Sequence, residues 1–285
     1  MPERAGAKIA LLLGNGHPNL EWTLAPSVLA PLAVYAGIYA WRFRNARREE
    51  GGRGAGAWRA LAFAGAMVAL LAAVASPLDG LGENYLFSAH MVQHILLGDI
   101  APVLVLLALS RVIMRPATRR LMSVERRLGR LAHPFTGLVL WLVLIYVWHI
   151  PAMYDAALNS PFLHGLEHMS FFMAGIALWW PLVQPVPMRR GLQGLAALGY
   201  LVAAKMSLGV LGLYLAWGSS VTYQHYETVP RIWGLSAIDD QNVGGAIMMA
   251  EQTMVLGIAL LVLFARLINR SEADELREER LEARA

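Results

Sequence analysis

Two pairs of histidines with the same spacing occur in apolar stretches of the chain. His90 and His94 lie four residues apart in SAHMVQHILLGD, and His164 and His168 repeat that spacing in LHGLEH. Residues at i and i+4 share one face of a helix, so each pair can present two imidazoles in the same direction. Imidazole nitrogens bind copper, zinc and iron, and ionisable side chains within a bilayer usually line a cavity or a pathway. The two pairs therefore predict a metal site.

The depth of these residues supports one common site. At 1.5 Å per helical residue, His90 and His94 lie roughly 6 and 12 Å below the outer end of their apolar segment. His164 and His168 lie roughly 3 to 11 Å below the outer end of theirs, and His149 ends the segment between them. All five are candidate ligands. The candidate secondary ligands are Met91, Met153, Glu167, Asp240 and Glu251.

The residue types limit which metals could bind but do not identify one. The chain contains no cysteine, which excludes thiolate metal sites, disulfides and thiol redox chemistry. Thioether ligands favour cuprous copper, whereas imidazoles also suit zinc. Copper is our prediction and zinc the alternative. In a purely structural interpretation, each imidazole is hydrogen-bonded to a backbone carbonyl or to Gln93, Tyr154 or Glu167, and the histidines fix helix packing.

A second polar layer is predicted deeper in the membrane. Asp99 lies about 20 Å and Lys205 about 18 Å from the outer ends of their segments. An unpaired charge at that depth is costly, so the two residues are predicted to form an intramembrane ion pair. A proton or metal relay is the functional alternative. Glu251, roughly 12 Å deep, competes as a partner for Lys205 or serves the metal layer.

The composition is that of an integral membrane protein. Of the residues, 57% are apolar and 15% are charged, with a mean hydropathy of +0.47. Soluble chains carry about 25% charged residues. The basic balance, with a pI near 9.6, indicates cytoplasmic loops that face anionic membrane lipids, and not nucleic-acid binding.

Apolar segments of about 20 residues predict an all-α protein with seven transmembrane helices. The predicted spans are Leu24–Trp41, Trp58–Ala75, Leu86–Ser110, Phe135–His149, Phe162–Val183, Leu195–Trp217 and Val243–Leu267. Arginines concentrate in alternate loops and in the C-terminal tail, whereas the other loops contain only Arg231. By the positive-inside rule, the N-terminus is outside and the C-terminus is cytoplasmic.

These spans define the predicted organisation of the chain. Residues 1–22 form an extracytoplasmic N-terminal segment, and residues 23–268 form the membrane domain. Within that domain, a basic amphipathic helix at about 117–131 is predicted to lie on the inner membrane surface. Residues 269–285 form a charged cytoplasmic tail.

Four segments in order resemble one family. SAHMVQH, WHIPAMYDAAL, LHGLEHMSFFMAG followed by LWWPL, and LSAIDDQNVGGAIMM look like the CtaG-type cytochrome c oxidase assembly factors of bacteria. The resemblance covers about Leu78–Leu267. It implies a multi-pass plasma-membrane protein, not an enzyme, that helps supply copper to oxidase subunits. The family's motifs map onto the five candidate histidines and onto Asp239, Asp240 and Gln241.

Two other functions fit parts of the pattern. An intramembrane zinc hydrolase of lipid or amide substrates could use three histidines, with Ser88 and Asp99 nearby. Five histidines exceed such a site, and Asp99 lies too deep for it. A bis-histidine haem needs ligands that face each other across a bundle, which an i, i+4 pair on one helix does not supply. The recipient oxidase subunit and the oligomeric state stay open.

Overall fold

The computed structural model describes residues 18, 20–50, 52–186, 188 and 191–282, and within these ranges the regular structure is entirely helical. This confirms the predicted all-α class. The α-helices of the described ranges are α1 (Pro26–Glu50), α2 (Ala57–Val74), α3 (Pro77–Asn84), α4 (Phe87–Ile95), α5 (Ala101–Ala108), α6 (Arg115–Leu128), α7 (Pro134–Trp148), α8 (Pro151–Asn159), α9 (Pro161–Val183), α10 (Gly194–Ala216), α11 (His225–Thr228) and α12 (Ala237–Glu282). A π-helical turn, Leu96–Ile100, joins α4 to α5, and a 3₁₀ turn, Gly129–Ala132, joins α6 to α7.

Five helical segments of the described residues are long and apolar enough to cross a membrane. They are Ala57–Asn84, Phe87–Ala108, Pro161–Val183, Gly194–Ala216 and Ala237–Val262. A sixth is obtained if α6 with its 3₁₀ turn and α7 count as one span, bent by 74°. The predicted first span, Leu24–Trp41, falls in α1, which is not among them. Seven spans and the orientation of the termini therefore stay predictions.

The bundle has two chemically different ends. At one end, which we call the histidine end, Tyr223 donates a hydrogen bond to the carbonyl of His149, and Asp240 accepts one from the backbone of Phe87. At the other, the arginine end, Arg42 donates to the carbonyls of Val112 and Ile113. The short helices α3, α8 and α11 all lie at the histidine end and cover it.

Proline and serine define where the helices of the histidine end begin. α3, α8 and α9 each start with proline, whose fixed φ and missing N–H suit the first helical position. Ser76 accepts a hydrogen bond from Leu78 N at 3.2 Å, which caps α3. Such breaks let the chain turn sharply between the long helices, so several side chains can converge from different elements.

Small residues let the long helices approach closely. A Cβ at Gly175 of α9 would lie 2.2 Å from the carbonyl oxygen of Gly98 in the π-helical turn. A Cβ at Gly245 of α12 would lie 2.3 Å from the backbone nitrogen of Ala216 in α10. Close contacts between small residues are the usual basis of helix association in membranes. Here they bring α9, which carries His164 and His168, against the π-helical turn that follows the helix of His90 and His94, and they bring α12 against α10.

The predicted surface helix and tail correspond to regular structure. α6 has no buried residue, and Met122, Val124 and Leu128 on it are exposed. Its location on a membrane surface stays a prediction. α12 continues without a break from the last apolar segment to Glu282. Most of the predicted N-terminal segment, Arg189, Arg190 and residues 283–285 lie outside the described residues.

Candidate metal centre

The helix that carries His90 and His94 is held at its first turn by a buried carboxylate. Asp240, with no exposed surface, accepts hydrogen bonds from the backbone N–H of Phe87 at 2.6 Å and of Ser88 at 3.1 Å. The hydroxyl of Ser88 donates to it at 2.5 Å. A carboxylate at a helix N-terminus satisfies otherwise unpaired donors and interacts favourably with the helix dipole. Asp240 therefore positions the two histidines.

The second pair enters the same space from α9. His164 and Glu167 are buried, and His168 is partly buried, in the first two turns after Pro161. The imidazole centroids of His90 and His164 are 5.4 Å apart, and those of His94 and His168 are 5.9 Å apart. The two HxxxH faces are thus directed at each other.

The five candidate histidines form one cluster, which we call the histidine cluster: His90, His94, His149, His164 and His168. His149, which follows α7, lies 5.9 Å from His94 between ring centroids. Ligand atoms of His90, His94 and His168 lie within 4.8 Å of one another, as do those of His90, His164 and Glu167. A single ion can be reached by either set, and the two sets share His90.

The nitrogens of the histidine cluster are mostly without partners. Both ring nitrogens of His90 and of His94 are buried and have no hydrogen bond within the described part of the chain. The same holds for Nε2 of His149, His164 and His168. A buried polar atom without a partner costs about 1–3 kcal/mol, so seven of them in one place indicate that a ligand belongs there. A metal ion bound by one nitrogen of several of these rings would remove part of that cost.

The paired nitrogens have the partners that metal-binding histidines have. Nδ1 of His164 lies 2.8 Å from Oε1 of Glu83, and Nδ1 of His149 lies 2.8 Å from the carbonyl oxygen of Ile145. An acceptor on one ring nitrogen fixes the tautomer and leaves the other nitrogen available for a metal. His149 and His164 are thereby oriented with Nε2 as the donor atom.

Comparison with known proteins identifies the family. Residues 37–270 match the model of the cytochrome c oxidase caa3 assembly factor family (Caa3_CtaG). The chain belongs to this family. It is also 26% identical over 270 residues to an uncharacterized protein of Mycobacterium leprae, an alignment that covers 89% of this chain and 40% of the relative. An uncharacterized protein of Mycobacterium bovis is 26% identical over 194 residues, which cover 62% of this chain and 29% of the relative.

The chain therefore spans less than half the length of these two relatives. No solved structure matches it. The family assignment confirms the resemblance of the four sequence segments, because the matched range includes all of them. The family match assigns no metal ligand, so the candidate ligands follow only from the geometry of this chain.

Two of the three polar side chains that could have bonded the imidazoles, Gln93 and Tyr154, have other partners. The Gln93 amide donates to the carbonyl of Ala73 at 2.7 Å and to Asp79 at 2.5 Å, away from the cluster. The Tyr154 hydroxyl pairs with that of Tyr226 at 3.2 Å. Oε1 of Glu167 lies 3.5 Å from Nε2 of His94. The purely structural interpretation, in which each imidazole is hydrogen-bonded to a backbone carbonyl or to one of these three side chains, therefore accounts only for the contact of Glu167 with His94 and for the hydrogen bond of His149 to Ile145.

An aromatic cover closes the histidine end in this family member. The rings of Tyr154 and Tyr223 stack with centroids 4.0 Å apart, and Tyr226 donates to the carbonyl of Gly82 at 2.7 Å. Burial raises the pKa of the Tyr226 phenol well above its usual value, so this hydroxyl remains a donor. His225 adds a contact between its Nε2 and the carbonyl of Glu83 at 2.8 Å. The loop after α10 thus lies over the histidine cluster.

The secondary candidates are spread over four environments. Glu167 is inside the cluster, while Asp240 holds the N-terminus of α4. Met153 is partly buried against the main apolar core. Met91 and Glu251 line a small cavity of about 40 Å³ next to the cluster, on the side of the arginine end.

The deeper polar layer contains three charged side chains, which we call the charge cluster: Asp99, Lys205 and Glu251. The ammonium of Lys205 contacts the Asp99 carboxylate and lies 3.5 Å from Oε1 of Glu251. Trp179 Nε1 donates to Asp99 at 2.6 Å. Lys205 is 1% exposed, so the ions are separated from solvent and their pairing offsets part of the cost of burial.

The π-helical turn brings Asp99 to this position. In an α-helix, residues five apart lie on different faces, whereas the i to i+5 bonding of a π-helix stacks them. The backbone N–H of Ala101 bonds to the carbonyl of Leu96, five residues earlier. His94 and Asp99 consequently line the same small cavity. Neither this turn nor the contact of Glu83 with His164 is evident from the sequence.

Neither rival function gains support from the geometry. The hydroxyl of Ser88 is engaged with Asp240, and Asp99 with Lys205, so neither is free to serve a catalytic zinc. The small cavity beside His94 and His149 measures about 40 Å³, whereas cofactor sites have volumes of about 300–1,000 Å³. A haem macrocycle does not fit between these two histidines.

Proposed function

We propose that this chain binds copper at the histidine cluster and aids its delivery to cytochrome c oxidase. The observation that carries the proposal is the group of seven buried imidazole nitrogens that have no hydrogen-bond partner among the described residues. Membership of a cytochrome c oxidase assembly family supports the oxidase as the recipient of the metal. Assembly requires binding and release, so the proposed role is not enzymatic.

The donor set supports copper and leaves zinc as the alternative. Neutral imidazole suits both metals, and the added carboxylate of Glu167 is compatible with either. Thioether donors beside the cluster favour the cuprous ion, since Met91 lines the adjoining cavity with His94 and His149. The aromatic cover would keep a bound ion from water until a partner displaces it.

The proposed location is the extracytoplasmic half of the bacterial plasma membrane. There the cluster would face the compartment from which a metal or an oxidase subunit could approach. Membrane lipids and one or more oxidase subunits are the proposed partners. The basic residues of the arginine end would contact anionic lipids of the inner leaflet.

Metal analysis of the purified protein tests the ligand set. We expect the wild type to retain copper and the double variant His90→Ala/His94→Ala to lose it, because both ligand sets include His90. The matched control is His133→Asn, which removes an imidazole at the start of α7 but keeps a side-chain acceptor for Phe135 N. Equal copper in the wild type and the double variant would exclude these residues as ligands. Retention of zinc in place of copper would refute the metal assignment.

Delivery needs a separate measurement. In cells whose own gene is replaced by the double variant, cytochrome c oxidase is expected to assemble with less copper than in cells that carry the wild type or His133→Asn. The copper content of the purified oxidase is the readout. Normal copper in the oxidase of the double-variant cells would contradict delivery, even if the purified assembly factor binds the metal.

A further inference from the structure

A small cavity connects the histidine cluster to the charge cluster. It measures about 40 Å³, and both His149 of the first cluster and Asp99 and Glu251 of the second line it. One water needs about 10–15 Å³ of such space, so the cavity has room for a small ion. Two thioethers, Met91 and Met248, face the same space. They are 1% and 4% exposed, so both belong to the interior.

The charges around this cavity do not cancel. The carboxylates of Asp99 and Glu251 face a single ammonium, that of Lys205, and all three are at least nine-tenths buried. With both carboxylates ionised, one negative charge would be left over in a bundle of low polarity, a cost that a bound cation or a proton would remove. A monovalent cation in the cavity would cancel it, whereas a divalent cation would leave an excess of positive charge.

Two unpaired polar atoms at the cavity, one of them outside the histidine cluster, also indicate a ligand. Nε2 of His149 and Oε1 of Gln252 are buried without a hydrogen bond within the described residues. Both residues line the cavity and are 8% and 4% exposed. The Gln252 amide nitrogen is engaged with Glu251, so its oxygen is left facing other neighbours.

We propose that this cavity is a second metal site, specific for a cuprous ion. Neither ligand set of the first site includes His149, so the donors of the second site are the sulfur atoms of Met91 and Met248 and Nε2 of His149, and a neighbouring carboxylate balances the charge of the ion. Thioethers select cuprous copper over zinc and over hard cations such as sodium. This inference rests on the proposed function, because the second site would hold the same metal next to the first. In that extended function, the second site would hold the cuprous ion temporarily, on the side of the histidine cluster that faces the arginine end.

The site has a matched set of variants. Met91→Leu/Met248→Leu removes both sulfur atoms and keeps the side-chain volume, a change that cores tolerate well. Met206→Leu is the control, since Met206 is 60% exposed on the surface of α10. The probe is Ag⁺, a redox-inert monovalent ion with the same preference for thioethers, titrated into the purified full-length protein and followed by calorimetry. Copper X-ray absorption then reports whether sulfur is bound to the metal.

The wild type and Met206→Leu are expected to take up one more Ag⁺ ion per chain than the double methionine variant. The sulfur contribution to the copper absorption spectrum should disappear in that variant alone. His90→Ala/His164→Ala should lose the first site and retain the sulfur signal, which separates a failure of the second site from a failure of the proposed function. Equal Ag⁺ uptake by the wild type and the double methionine variant, without sulfur scattering, would overturn the proposal. It would indicate instead that a proton on a carboxylate balances the charge.

Discussion

The histidine cluster and the charge cluster are both buried polar groups in an apolar bundle, yet they differ in their pairing. Each charged side chain of the second cluster contacts an oppositely charged one, and Trp179 and Gln252 complete their hydrogen bonds. In the first cluster, seven ring nitrogens lack a hydrogen-bond partner among the described residues. Burial alone therefore does not identify a metal site, whereas unpaired buried atoms indicate one, both in the histidine cluster and at Oε1 of Gln252 beside the charge cluster.

The largest expected effect concerns the stability of the paired cluster. Lys205→Met leaves Asp99 and Glu251 buried without their cation, which should lower the free energy of unfolding by about 3–5 kcal/mol. His90→Leu, by contrast, replaces two unpaired nitrogens with an apolar group of similar size and should be nearly neutral in metal-free protein. Thermal unfolding in detergent measures both. If His90→Leu destabilises the metal-free protein as much as Lys205→Met does, the distinction between the two clusters fails.

An intermediate effect is expected where a carboxylate supports a ligand. Glu83 holds Nδ1 of His164 at 2.8 Å, and loss of such a support typically weakens metal binding by about 10–100-fold. Glu83→Ala should show this loss in a titration against a copper chelator. Glu83→Gln keeps an acceptor oxygen and should lose less.

The stability of the metal-free protein, to which the charge cluster contributes, is the control for the Glu83 titration. Glu83 is on α3, so its replacement should leave the contact of Lys205 with Asp99 intact and the unfolding of metal-free protein almost unchanged. Strong destabilisation of the metal-free Glu83→Ala protein would show that this carboxylate is part of the fold and not a support for the ligand.

The smallest expected effect concerns the helix cap, which serves the histidines indirectly. Asp240→Asn removes the negative charge at the N-terminus of α4 but keeps an acceptor, so stability should fall by about 1 kcal/mol. Copper stoichiometry should not change, because Asp240 bonds to backbone and Ser88 rather than to the metal centre. Asp239→Asn is the comparison, since Asp239 is exposed and bonds Ser236. A loss of copper in Asp240→Asn with unchanged unfolding would make Asp240 a ligand.

Much of the candidate site could be predicted because helix periodicity and depth are local properties. The spacing of His90 and His94 and of His164 and His168 predicts two faces, and the rise per residue predicts a common level. In the structure the ring centroids of the two pairs are 5.4 and 5.9 Å apart. The depth argument also placed Asp99 level with Lys205, and the two side chains are in contact.

Other parts depend on long-range packing and have no local signal. Glu83 reaches His164 because α3 folds back beside α4, where a Cβ at Gly82 would lie 3.0 Å from the Cα of His90. The π-helical turn at Leu96–Ile100 changes which face Asp99 occupies, and a hydrophobicity pattern does not show it. The sequence around Met248 does not show which side chains face it across the bundle, so it could not be predicted to line the cavity. The predicted first span is not among the candidate membrane helices. It lies in α1, which continues from its apolar half into a segment rich in arginine.

The length of α12 has a mechanical consequence. Its 46 residues make a rod of about 69 Å, more than twice the thickness of a bilayer's hydrocarbon core, which is about 30 Å. Asp240 near one end, Glu251 further along and the charged tail at the other end belong to this one unbroken element. A hydrogen-bonded helix resists both stretching and compression along its axis, so a force on the tail would be transmitted to Asp240 and hence to the N-terminus of the helix that carries His90 and His94. In the proposed orientation, a force at the cytoplasmic face would thus reach the proposed metal ligands near the opposite face.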